Sequence, residues 1–186
     1  QEAIIASNKG TETTEAQLNV LLAEMDKSPE QKKQLFYKIM ASLGGDKALK
    51  SVANAFATGD VETKKASLAA LSTWKDASAA SEILKIARTN QDAGVVNQAL
   101  LGYLQLIKKS NDTPEQRLLQ LRNAMDLAKS NDVKTQVLKD VVQAKSYHAI
   151  LFAGKYLEDP ALQQAAAQAV MNITMAGKYN GDLVKG

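Results

Sequence analysis

The side chains best suited to molecular recognition in this sequence are amides and lysines that recur at helical spacing. They are Lys64, Lys65, Asn97, Gln136, Gln143, Gln164, Gln168 and Asn172. An amide side chain both donates and accepts hydrogen bonds, and a lysine ammonium donates them. On equivalent helices of a repeated unit, these residues would form a ladder along one concave surface. The ladder is predicted to contact a partner protein or a glycan; a solvated polar face is the alternative explanation.

Catalytic chemistry is not indicated by the remaining polar residues. The single histidine, His148, has no neighbours at metal-ligand spacing. Acidic residues stand mainly at predicted helix starts, where unpaired backbone amides and the helix dipole favour them. Cysteine is absent, and no phosphate-binding glycine loop or nucleophile motif is present. We therefore predict no catalytic residue, no metal site, no cofactor and no enzymatic activity for this chain.

Two tyrosines are the aromatic candidates for a surface contact. Trp74 and Tyr103 fall at the spacing of a helical core, which favours packing. Tyr147 and Tyr179 lie near predicted helix ends instead, where a ring is freer to meet a partner.

The composition is that of an all-helical protein. Of 186 residues, 45% are hydrophobic and 23% charged, with only 3 prolines and 5% aromatic residues. Strong helix formers are abundant, whereas β-branched residues occur singly rather than in alternating runs. This pattern predicts an all-α fold.

The charge balance demands no polyanionic partner. The net charge of +3 comes from 23 basic and 20 acidic residues. Only Arg88, Arg117 and Arg122 are arginines, although phosphate and base recognition favours the guanidinium group. Nucleic-acid binding is therefore the weaker interpretation. No apolar run is long enough for a membrane span, and the first residue is Gln, as in a chain that has lost a leader or was cut from a longer protein.

A loose internal repeat organises the chain. Ser28, Asp60, Asp92, Asp132 and Asp159 each precede an amphipathic stretch, at intervals of 27 to 40 residues, and are predicted helix N-caps. A further apolar-periodic stretch lies between successive caps, so each unit is predicted to be a helical hairpin. About five hairpins would fill residues 1–178, with a less regular hairpin in 1–45 and a linker or tail in 179–186.

Apolar residues mark the inner face of these helices. In the last unit the face comprises Leu162, Ala166, Ala169, Ile173 and Ala176. In the unit that follows Asp92, it comprises Val96, Leu100, Tyr103 and Ile107, and the neighbouring faces are apolar as well. The helix that follows Asp92 is therefore predicted to pack between other helices.

The paired helices resemble HEAT-like repeats. The resemblance is carried by ASLAALSTW (66–74), QALLGYLQL (98–106) and YLEDPALQQAAAQAV (156–170), and it covers residues 46–176. It implies an αα superhelix, a HEAT- or armadillo-like solenoid. HEAT-like motifs carry no catalytic signature, so the resemblance implies no functional residue.

More narrowly, the repeats are similar to HEAT-like segments of exported proteins from Bacteroidetes-type and Planctomycetes-type bacteria. Those segments accompany laminin-G-like domains of the 3-keto-disaccharide hydrolase kind. The similarity implies an extracytoplasmic location, periplasmic or secreted, and a helper role beside a separate glycan-processing catalytic domain.

The sequence as a whole predicts a non-catalytic interaction or scaffold module. Its partner would be another protein or an adjacent domain of the same chain, and a glycan is a further possibility. The alternatives are a nucleic-acid-binding helical repeat and a glycan-active enzyme whose site is not recognised.

Overall fold

The computed structural model describes residues 14–176, apart from the side chains of residues 14, 15, 30 and 31. Helices are the regular secondary structure of this part of the chain, and it has no strand, which confirms the all-α prediction. Its α-helices are α1 (Thr14–Lys27), α2 (Glu30–Leu43), α3 (Asp46–Thr58), α4 (Val61–Ser72), α5 (Ala80–Thr89), α6 (Ala93–Ile107), α7 (Pro114–Leu127), α8 (Asn131–Val141), α9 (Tyr147–Gly154) and α10 (Gln163–Ala176). Within these bounds, none of the helices has the length and apolar character needed to cross a membrane.

Each of the ten described helices packs against a neighbour along the chain. Helices α1 and α2, α3 and α4, α5 and α6, α7 and α8, and α9 and α10 pack against each other. The described helices fall into two compact units, and the boundary lies between Ala79 and Ala80. The predicted single repeat domain over 1–178 stays a prediction.

In the first unit, α2 is the central helix, because it packs against α1, α3 and α4. The core of this unit contains Met40, Val52, Leu71 and Trp74, all fully buried. The burial of Trp74 agrees with the packing role that its spacing predicts.

In the second unit, α6 packs against α8, and α8 packs against α10. The predicted inner face of α6 is buried along its whole length: Val96, Leu100, Tyr103 and Ile107 are each at most 3% exposed. Because Ala99, Leu104 and Leu106 are fully buried too, α6 is enclosed on several sides, as predicted.

Local signals explain where several helices begin. The carboxylate of Asp60 accepts a hydrogen bond from the Thr63 amide at 2.8 Å, which lowers the Asp60 pKa, and Asp92 accepts from the Gly94 and Val95 amides. These two predicted caps are confirmed. Asp159 accepts from the Ala161 amide in the turn that leads into α10.

The other two predicted caps are wrong. The Ser28 hydroxyl donates a hydrogen bond to the carbonyl oxygen of Glu24. Ser28 therefore lies at the end of α1 and does not cap the start of α2. Asp132 lies inside the first turn of α8, since Ser130 caps that helix through the Val133 amide. A cap that the repeat pattern missed is Thr113, which forms a reciprocal capping box with Gln116 around Pro114.

Candidate functional site

An open groove lies between α8 and α10 in the second unit. Its volume is about 430 Å³, which falls in the range of small ligand sites. The residues that line it are Thr135, Lys139, Val142, Gln164, Ala165, Gln168, Ala169 and Asn172. We refer to this surface as the α8–α10 groove.

The helical period of α10 divides its residues between the core and the groove. Leu162, Ala166, Ala169 and Ile173 are at most 1% exposed and form the buried face that the sequence predicts. Ala176, the last residue predicted for that face, is exposed because it lies at the end of the helix. Gln164, Gln168 and Asn172 repeat every four residues and are exposed. Their amides therefore form one row along the groove.

Two of these amides are joined to each other. Gln168 Nε2 donates a hydrogen bond to Asn172 Oδ1 at 2.9 Å. This bond fixes both side chains in one orientation and leaves Gln168 Oε1 as an acceptor and Asn172 Nδ2 as a donor for a ligand. The pair thus presents a hydrogen-bond acceptor and a hydrogen-bond donor side by side.

Lys139 contributes the only formal charge among the described residues that line the groove. The structure gives its ammonium no hydrogen bond or ion pair with any described residue. The next residue, Asp140, pairs with Lys108 instead: Asp140 Oδ1 accepts from Lys108 Nζ at 2.9 Å and from Gln136 Nε2 at 3.0 Å, and Asp140 Oδ2 is buried. The groove therefore carries one positive charge, in the last turn of α8, where the helix dipole favours a basic residue.

Other predicted contact residues of the second unit serve different roles. Gln136 holds Asp140, as described above. Gln143 borders a separate cavity of about 10 Å³ beside Lys108 and Asp140, which is too small for a ligand. Asn97 accepts a hydrogen bond from the backbone amide of Lys129 at 3.0 Å, so it ties α6 to the loop that precedes α8. Three predicted residues thus meet in the groove and three do not.

The remaining predicted residues lie elsewhere. Lys64 and Lys65 are exposed on α4 in the first unit, and Lys65 pairs with Glu62 at 3.0 Å. Tyr147 is 43% exposed at the start of α9, in edge-to-face contact with the exposed ring of His148. Tyr179 lies outside the described residues. Tyr147 therefore stays available for a surface contact, apart from the groove.

The α8 side of the groove was not predicted from the sequence. Thr135, Lys139 and Val142 follow steps of four and three, which places them on one side of α8 and its following turn. This helical spacing can be recognised in the sequence. It gains meaning only when α10 is known to be the neighbour, because many helical positions share the same period.

Acidic side chains in the second unit have structural roles. Asp112, in the loop between α6 and α7, accepts hydrogen bonds from the Ser110 hydroxyl and from Gln120 Nε2. These bonds, with the charge of Arg117, lower the pKa of Asp112. Across the described residues 14–176, no cluster of three or more histidine or carboxylate side chains is arranged to hold a metal ion.

The comparisons with protein-family models, with curated proteins and with solved structures return no significant match. The resemblance to HEAT-like repeats therefore stays a prediction from the sequence.

Proposed function

We propose that this chain is a non-catalytic interaction module, a HEAT-like αα superhelix that uses the α8–α10 groove to bind a partner protein. The observation that carries the proposal is the groove itself. It brings three predicted amides together with a lysine whose charge has no described counter-ion. A few polar groups with hydrogen-bonding capacity left for a ligand are the features that orient a ligand in a groove and give specificity.

Binding rather than catalysis is favoured by the residue types in the groove. Its eight described lining residues include no carboxylate, histidine or aromatic ring. Acid–base chemistry uses paired carboxylates or histidine, and base recognition on single strands uses aromatic stacking. Amides, a hydroxyl and an ammonium are sufficient for hydrogen bonding to a peptide.

A peptide-display selection tests the proposal. Short random peptides are selected against the 186-residue chain and then measured against Ala165→Trp, which places a large ring in the groove. The matched control is Ala69→Trp, on an exposed position of α4. We expect the selected peptides to bind the wild type and Ala69→Trp, and to lose about tenfold or more in affinity with Ala165→Trp, a loss of about 1.4 kcal/mol.

The opposite outcome would overturn the proposal. If no peptide is selected, or if the selected peptides bind Ala165→Trp as well as the wild type, the groove is not the binding surface. Should Ala165→Trp lose its helical circular dichroism, the double variant Gln168→Ala and Asn172→Ala takes its place, because both side chains are exposed.

We further propose that the module is extracytoplasmic and lies beside a glycan-processing domain. This proposal is supported by the resemblance to HEAT-like segments of exported bacterial proteins. Determining the full gene tests it. An export signal and a β-rich catalytic domain in the same reading frame are expected, and a gene that encodes neither would refute the assignment.

A further inference from the structure

The charge in the α8–α10 groove points to the kind of partner. Lys139 is the only charged residue among the described residues that line the groove, and it has no described acidic partner. Since the described lining residues include no acid, a ligand that supplies a carboxylate would compensate the charge of Lys139. Charge complementarity of this kind favours one partner over others more than it raises affinity.

The row of amides matches an extended peptide. Gln164, Gln168 and Asn172 are four residues apart, so they rise by about 6 Å per step along α10. Two residues of an extended chain span about 6.6 Å. A peptide lying along α10 would therefore present its alternate peptide groups in near register with the amides. The free acceptor on Gln168 and the free donor on Asn172 suit the N–H and C=O of one residue of the peptide, because these two groups point to the same side of an extended chain.

Small apolar side chains lie beside this row. Ala165 is half-buried and Ala169 is 1% exposed, and neither reaches far from the helix. They let a peptide backbone approach α10 closely, and Val142 offers an apolar contact on the opposite side. The lining has no described aromatic ring on which a sugar or a base could stack.

From these observations we infer that the α8–α10 groove binds an extended peptide segment that carries an aspartate or glutamate at the position facing Lys139. The inference rests on the proposed function and adds the chemical class of the partner. The amides of α10 hold the peptide backbone, and Lys139 selects the acidic side chain.

A charge-reversal experiment tests the inference. The same random peptide library is selected against the wild type, against Lys139→Glu and against the matched control Lys85→Glu, which makes the same change on an exposed position of α5. We expect one acidic position in the peptides selected by the wild type and by Lys85→Glu. Lys139→Glu is expected to select a basic residue at that position.

Affinities of the best wild-type peptide give the second measure. Replacing its acidic residue by the corresponding amide is expected to weaken binding to the wild type by about twofold to fivefold, the range of an exposed ion pair, and binding to Lys139→Glu hardly at all. Raising the salt concentration is expected to reduce this difference, because an exposed ion pair is screened.

Failure of the inference is distinguishable from failure of the proposed function. Peptides that Ala165→Trp rejects but that show no acidic preference would refute the inference and leave the groove as a peptide-binding site. Peptides that Ala165→Trp retains would refute both. A neutral oligosaccharide such as maltohexaose that binds the wild type but not Ala165→Trp would make the occupant a glycan. Self-association of the chain that Ala165→Trp abolishes would make it a second copy, and either result overturns the inference.

Discussion

Replacing Ala166 by leucine tests the packing on which the groove depends. Ala166 is fully buried, in the middle of the inner face of α10, and its neighbours on that face are Leu162, Ala169 and Ile173. Helix α10 packs there against both α8 and α9. Leucine adds three carbon atoms at a position without free space, so either α10 moves outward or neighbouring side chains leave their preferred rotamers.

The expected cost of Ala166→Leu is about 1 to 3 kcal/mol, the usual range for overpacking a core. For a chain of this length, each kcal/mol lowers the midpoint of thermal unfolding by about 2 to 4 °C. The assay is urea unfolding followed by far-UV circular dichroism, which follows the helices of both units. The midpoint should fall while the slope stays unchanged.

The matched control is Ala176→Leu. Ala176 belongs to the same predicted face but is exposed, so the same substitution is expected to change the stability by less than about 0.5 kcal/mol. An unfolding midpoint for Ala166→Leu equal to that of the wild type, or equal to that of Ala176→Leu, would show that α10 does not pack as described.

Three further substitutions probe other parts of the fold. Gly44→Ala is expected to destabilise the chain by about 1 to 3 kcal/mol, because Gly44 has φ +72°, a backbone conformation that residues with a Cβ rarely adopt. Gly154→Ala, where an added Cβ meets no atom within 4 Å, is the control in thermal melts. Asp92→Ala is expected to lower the free energy of unfolding in urea by about 0.5 to 2 kcal/mol, because it removes the acceptor for two amides at the start of α6. Asp92→Asn should restore most of this free energy. Burial raises the pKa of Tyr103 from 10.0 to about 12, so the unfolded chain loses this proton first and wild-type stability should fall as the pH rises from 10 to 12; Tyr103→Phe should lose about 2 to 3 kcal/mol less over that interval, and parallel alkaline unfolding curves would contradict the assignment.

The helical secondary structure and the inner faces of the helices could be predicted from the sequence, because both depend on residues that are close together in the chain. The four- and three-residue steps from Leu162 to Ile173 define one side of a helix whatever it packs against, and those residues are buried. Asp60 and Asp92 act as caps because a side chain hydrogen-bonds to amides only two or three residues away.

The capping errors show the limit of that local information. Ser28 and Ser130 are equally good cap residues by type, but Ser28 closes one helix and Ser130 opens another. The choice depends on where the preceding helix ends, and helix ends are set by tertiary packing as much as by propensity.

The groove itself is formed by tertiary packing. The sequence determined that Gln164, Gln168 and Asn172 share one side of α10, since the helical period alone requires it. Their neighbours Thr135, Lys139 and Val142 come from α8 and the turn that follows it, more than 20 residues earlier. Only the packing of this segment against α10 brings the two sets together. The bond from Gln136 to Asp140 lies within α8 and spans four residues, so the helical period alone allows it. Asn97 reaches the Lys129 amide, 32 residues away, only because the tertiary structure places the loop that precedes α8 beside α6.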